Sequence, residues 1–124
     1  YKRQILTRCF TKVKYKIDCP DESYTVEDLQ ELRKSLSIIL NAKYNEIVDS
    51  RIEKGCVCVT FMISNRLIPV LRSLYMNNNL RKTLRKMSSL RHKIIAVSIQ
   101  DEIIYTSSMF YYLVSFYFEK MHFI

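Results

Sequence analysis

Apolar and polar side chains alternate early in the chain. In FTKVKYKIDC, residues 10–19, Val13, Tyr15, Ile17 and Cys19 point one way and Lys12, Lys14, Lys16 and Asp18 the other. A period of two is the mark of a half-buried strand. Pro20 ends it, with Asp21 and Glu22 in the turn. The period then changes: Leu29, Leu32, Leu36, Ile39 and Leu40 recur at helical spacing, with Gln30, Glu31, Arg33 and Lys34 on the wet side. Thr25-Val26-Glu27-Asp28 reads as a capping box, and Tyr24 and Leu29 occupy the two positions of a hydrophobic staple. These signals predict a helix over Val26–Leu40.

Residues 46–52, EIVDSRI, form a weaker strand. Lys54-Gly55 supplies a turn, Gly55 being suited to positive φ. In the return strand Val57, Val59, Phe61 and Ile63 share one face, and Cys56, Cys58, Thr60 and Met62 the other. A second helical region covers about Asn65–Met87, with Pro69 confined to its first turn and Asn77-Asn78-Asn79 interrupting it. A last strand, Lys93–Gln100, extends through Ile103-Ile104-Tyr105. The order β-α-β-β-α-β predicts an α+β fold of ferredoxin-like type: a two-layer sandwich of a four-stranded antiparallel sheet with two helices on one face. Residues 10–105 form this single domain, and residues 1–9 precede it as an extension.

The apolar tail 106–124, TSSMFYYLVSFYFEKMHFI, stands outside the pattern. Its run Met109–Phe118 is too short to span a bilayer. Three readings compete: a segment packed on the domain, the start of a membrane segment, or an AT-rich stretch translated past a gene-model error. No function is assigned to it. A chain opening on Tyr1 reads as a piece of something longer.

A chain of 124 residues buries enough surface to fold without a metal or disulfide. Cys9, Cys19, Cys56 and Cys58 follow no secretory signal, so buried thiols in a cytoplasmic protein are the default. The formal net charge of +8 opens the way to anionic partners without choosing among nucleic acid, acidic lipid and acidic protein. Arg81, Lys82, Arg85, Lys86, Arg91 and Lys93 read first as the wet face of an amphipathic helix and its exit.

Several chemistries are disfavoured. Gly55 is the only glycine, whereas phosphate loops and dinucleotide fingerprints need several. Cys56-x-Cys58 lacks zinc spacing, and no second pair accompanies it. His92, between Arg91 and Lys93, reads as solvated; His122 lies in the tail. Glu27, Asp28 and Glu31 suit a helix N-terminus better than acid–base work. The chain therefore reads as non-enzymatic, with no cofactor and no metal.

An RNA-recognition motif shares the β-α-β-β-α-β order, and its third strand reads K/R-G-F/Y-G/A-F-V-x-F/Y. Lys54, Gly55, Val59 and Phe61 fit, but the stacking aromatics fall on Cys56 and Cys58. A thiol offers no plane for a base, so the match describes fold geometry without the reading chemistry.

Two segments carry a further resemblance. Lys16-Ile17-Asp18-Cys19-Pro20-Asp21-Glu22 through Thr25-Val26-x-Asp28-Leu29-x-x-Leu32-Arg33, and Ile52-Glu53-Lys54-Gly55-Cys56-Val57-Cys58-Val59-Thr60-Phe61, resemble a small α+β domain of large invertebrate signalling proteins. Those proteins also carry death-fold or NACHT modules. The domain is similar to the N-terminal domain of the adaptor TRADD. The resemblance covers about Tyr15–Tyr105 and implies an adaptor or scaffold in innate-immune or cell-death signalling. It carries over no contact residue. The resulting expectation is a protein-interaction domain whose partner docks on the open sheet face, at Lys12, Lys14, Lys16, Cys58 and Thr60, or on a sheet edge. A nucleic-acid-binding domain is the alternative.

Overall fold

The alternation in the first strand is realised in space. Val13, Tyr15 and Ile17 are buried, while Lys12 and Lys16 are exposed, in a computed structural model that describes residues 9–53 and 57–107. Strand β1 spans Phe10–Ile17 and helix α1 Val26–Leu40, followed by β2 (Ile47–Glu53) and β3 (Cys58–Ser64). Helices α2 (Ile68–Leu74) and α3 (Asn77–Lys86) come next, then β4 (Ile94–Ile99) and β5 (Glu102–Thr106). The turn expected at Lys54-Gly55, Cys56, most of the N-terminal extension and nearly all of the apolar tail lie outside the described residues.

The five strands form one antiparallel sheet in the order β2-β3-β1-β4-β5. This corrects the four-stranded, two-helix ferredoxin-like expectation: the described residues hold a fifth strand and three α-helices. The fifth strand arises because the predicted Lys93–Tyr105 extension folds back on itself. Ile99 pairs with Glu102, so Gln100-Asp101 is a two-residue turn, and both turn residues have positive φ, 48° and 67°. Positive φ at both central residues is what a type I′ hairpin turn requires. Neither Asn nor Gly marks the site, so the residue pair gave no turn signal.

The second helical region divides at Tyr75-Met76 rather than at the asparagines, which form the first turn of α3. Pro69 lies in the first turn of α2, where it costs no helical hydrogen bond. Buried Thr83 holds the junction, its hydroxyl 2.7 Å from the Leu74 carbonyl and 2.9 Å from that of Asn79. The Leu74 carbonyl ends α2 and has no helical partner of its own to rely on.

Helix α1 has the predicted bounds. The Asp28 amide donates to Thr25 Oγ1 at 3.2 Å and the Thr25 amide to Asp28 Oδ2 at 3.0 Å, completing the capping box. Asn41 closes the helix in the left-handed conformation. Leu32, Leu36 and Leu40 meet the sheet, joined by Leu67, Leu71, Tyr75 and Met87 from the later helical segments. On the sheet side Ile52, Val59, Tyr15, Val97 and Tyr105 are cross-strand neighbours on the core face. Phe61 meets Tyr15 edge-on, with centroids 5.9 Å apart. The helical layer thus covers one face of the sheet. No helix among the described residues is long and apolar enough to cross a membrane.

Candidate functional site

The pairing register builds the opposite face in transverse rows. Arg51, Thr60, Lys14, Ser98 and Ile103 form one, and Glu53, Cys58, Lys16, Ala96 and Thr106 the next. Lys12 pairs with Met62 in a third. Lys12, Lys14, Lys16, Cys58 and Thr60 therefore share this face, as their alternation predicts. Their accessibility differs. Lys12 and Lys16 are exposed, whereas Cys58 and Thr60 are buried within the face. Glu53 lies across Thr60, one carboxylate oxygen 3.4 Å from the hydroxyl and the other 3.4 Å from Lys14 Nζ. Lys14 is thus spent in part on an internal ion pair. Lys12 and Lys16 flank it on the same strand, Lys12 beside Met62 and Lys16 between Cys58 and Ala96.

The register also puts Phe10 on this face, at the end of the lysine row, where it is half-buried. The row of alternate β1 positions would have identified it. At β2 the alternation fails because Val48 pairs with Met62 but Arg51 with Thr60, leaving one extra residue in the strand. Asp49, with φ 54°, takes the kink. The bulge returns Ile52 to the core side, where a regular strand would have turned it out.

A second cluster forms where the end of β1, the first turn of α1 and the start of β4 meet. His92 is not solvated: its side chain is 17% exposed. His92 Nε2 is 3.4 Å from Cys19 Sγ and 3.8 Å from Asp28 Oδ2, and Arg91 reaches the same carboxylate oxygen at 3.6 Å. The Cys19 thiol also lies 3.2 Å from the Pro20 carbonyl. The Tyr24 ring stands 6.0 Å from the imidazole. Hydrogen bonds from Thr25, together with Arg91 and His92, hold the Asp28 carboxyl below its usual range. Burial, with Asp28 and Cys19 nearby, pushes the Tyr24 phenol up to about 12.

His92 lines a cleft of about 230 Å³ with Tyr24, Asp28 and Leu90, and a larger one of about 570 Å³ with Tyr75, Met87 and Tyr105. Sequence reasoning missed this cluster because Cys19 and His92 are separated by 73 positions and neither sits in a motif. Both thiol and carboxylate use the same imidazole nitrogen, so the arrangement is not a relay through two ring nitrogens of the catalytic-triad kind. Among the described residues no group of three or more His, Cys, Asp and Glu side chains is arranged to hold a metal ion. Comparison with protein-family models, with curated proteins and with solved structures found no match.

Proposed function

We propose that the chain is a non-enzymatic protein-interaction domain whose open sheet face receives an acidic surface of a protein partner. The supporting observation is the register that places Lys12, Lys14 and Lys16 in one row along β1, with Lys12 and Lys16 exposed at either side of the ion-paired Lys14, on a face that the described helices leave uncovered. A cationic row on an extended sheet face suits a broad protein surface rather than a small substrate. The resemblance to the TRADD-type domain gives the reading its context, an adaptor in cytoplasmic immune or cell-death signalling.

The test is binding of an acidic peptide, poly-glutamate serving as the probe, to the wild-type protein and to Lys12→Glu/Lys16→Glu. Lys14 is the poorer choice because Glu53 already engages it. The double variant should weaken binding by about tenfold or more, in line with two like-charge juxtapositions. Equal binding by both proteins removes the sheet face. The lysine row and Phe10 also support single-stranded nucleic acid as a second reading, through phosphate contacts and one stacking ring. Submicromolar RNA binding that falls steeply with salt, against weak peptide binding, would favour that reading over the first.

A further inference from the structure

Cys19 and His92 carry chemistry that the sheet face does not use. Cys19 is half-buried, so its sulfur is neither sealed in the core nor fully hydrated. Two acceptors compete for the single thiol proton: the Pro20 carbonyl at 3.2 Å and His92 Nε2 at 3.4 Å. A proton taken by His92 produces an imidazolium that faces both the sulfur and the Asp28 carboxylate. Asp28 is ready for that charge because Thr25 and Arg91 already hold it ionised. The thiolate form of a cysteine is the nucleophile, and a neighbouring imidazolium is one of the settings that favours it.

We propose that Cys19 is a site of thiol–disulfide exchange with small anionic disulfides, with His92 as the base that accepts its proton. The thiolate attacks one sulfur of the incoming disulfide. The old sulfur–sulfur bond breaks as the new one to Cys19 forms, and the departing sulfur leaves as a thiolate that takes up a proton from His92 or water. Cys19 is oxidised, the departing sulfur is reduced, and no further oxidant enters. The larger cleft beside His92 gives the disulfide room, and Arg91 and Lys93, both exposed, line it against a single acid, Asp18, so that they supply charges complementary to the disulfide's carboxylates. The product is a mixed disulfide at the junction of β1, α1 and β4, on the helix-layer side of the molecule's end and separate from the lysine row.

Two other cysteines serve as internal references, since Cys9 is exposed and Cys58 is buried. The full chain is incubated with glutathione disulfide, and the rate of modification at each cysteine is followed by peptide mass spectrometry. Cys19 should react about tenfold faster than Cys9 despite its lower exposure, the ratio expected of a thiol with a base at hydrogen-bond distance. His92→Asn should lower the Cys19 rate about tenfold and leave Cys9 unchanged. A Cys19 no faster than Cys9 in the wild-type protein would overturn the proposal, as would a Cys19 rate indifferent to His92→Asn. New reactivity at Cys58 would mark a variant that has lost its fold, and the wild-type ratio then decides alone.

Discussion

Glu46 is where a single side chain ties distant parts of the fold together. Its carboxylate accepts from Arg66 Nε at 2.9 Å and Nη2 at 2.6 Å, and from the Lys43 amide at 3.0 Å. Its own carbonyl accepts from the Ser64 amide at 2.8 Å. One residue thereby joins the loop after α1 to the turn that leads into α2. A bidentate guanidinium pair is stronger than a generic surface ion pair because its geometry is fixed. Arg66, then the Lys43 amide, hold the Glu46 carboxyl down from 4.5 to about 2. A depressed carboxylate adds stability above its unfolded-state pKa and loses it as pH falls through the folded one. Glu46→Gln should therefore lower the thermal midpoint near neutral pH, and the gap from wild type should close between about 4.5 and about 2. A gap that stays constant across a pH series of melting curves would contradict the ion-pair account. Nothing in EIVDSRI announces Arg66 as the partner, because the contact bridges 20 positions of chain.

Elements were legible where local chemistry and period agree. Thr25, Asp28 and the leucine stripe delimit α1, and the alternation in β1 and β3 separates core from open face without any tertiary information. Thr25→Ala should cost about 1 kcal/mol in chemical denaturation, the ordinary worth of an N-cap. Three places resisted: β2 because a bulge at Asp49 shifts its faces, the α2–α3 junction because a buried Thr83 secures the break, and the β4–β5 hairpin because the turn uses Gln100-Asp101. Each is decided by backbone conformation or by a partner far from the local pattern. The Cys19–His92–Asp28 cluster was hidden for the same reason, since the fold, not spacing, brings its members together. The hairpin offers a direct check. Asn and Gly accept positive φ more readily than Gln and Asp, so Gln100→Asn/Asp101→Gly should raise stability by about 1 kcal/mol. A destabilised double variant in urea would show that the turn residues contribute contacts beyond their backbone angles. At the helix junction Thr83→Val keeps the shape but removes the hydroxyl from the Leu74 carbonyl. That change should cost about 1–2 kcal/mol by the same measurement.

At the scale of the whole molecule, the net charge of +8 is not gathered on one surface. Lys12 and Lys16 stand on the open face of the sheet, whereas Arg81, Lys82, Arg85 and Lys86 are exposed on α3, which packs on the other face. A sheet and a packed helix place the two sets more than about 10 Å apart, judged from ordinary layer spacings and helix diameters. The Debye length near physiological salt is about 8 Å, so charges on one side barely act on a partner bound to the other. A protein docked on the sheet should therefore be indifferent to α3. Arg81→Glu/Arg85→Glu should leave poly-glutamate affinity for the sheet face within about twofold near physiological salt, while Lys12→Glu/Lys16→Glu lowers it about tenfold. At low salt the α3 variant should slow association, because steering extends with the screening length. A nucleic acid long enough to wrap both faces would lose affinity in both variants, with a smaller salt slope in each. Parallel salt titrations of the two double variants, read against peptide and against single-stranded RNA, separate a local docking face from a molecule-wide polycation.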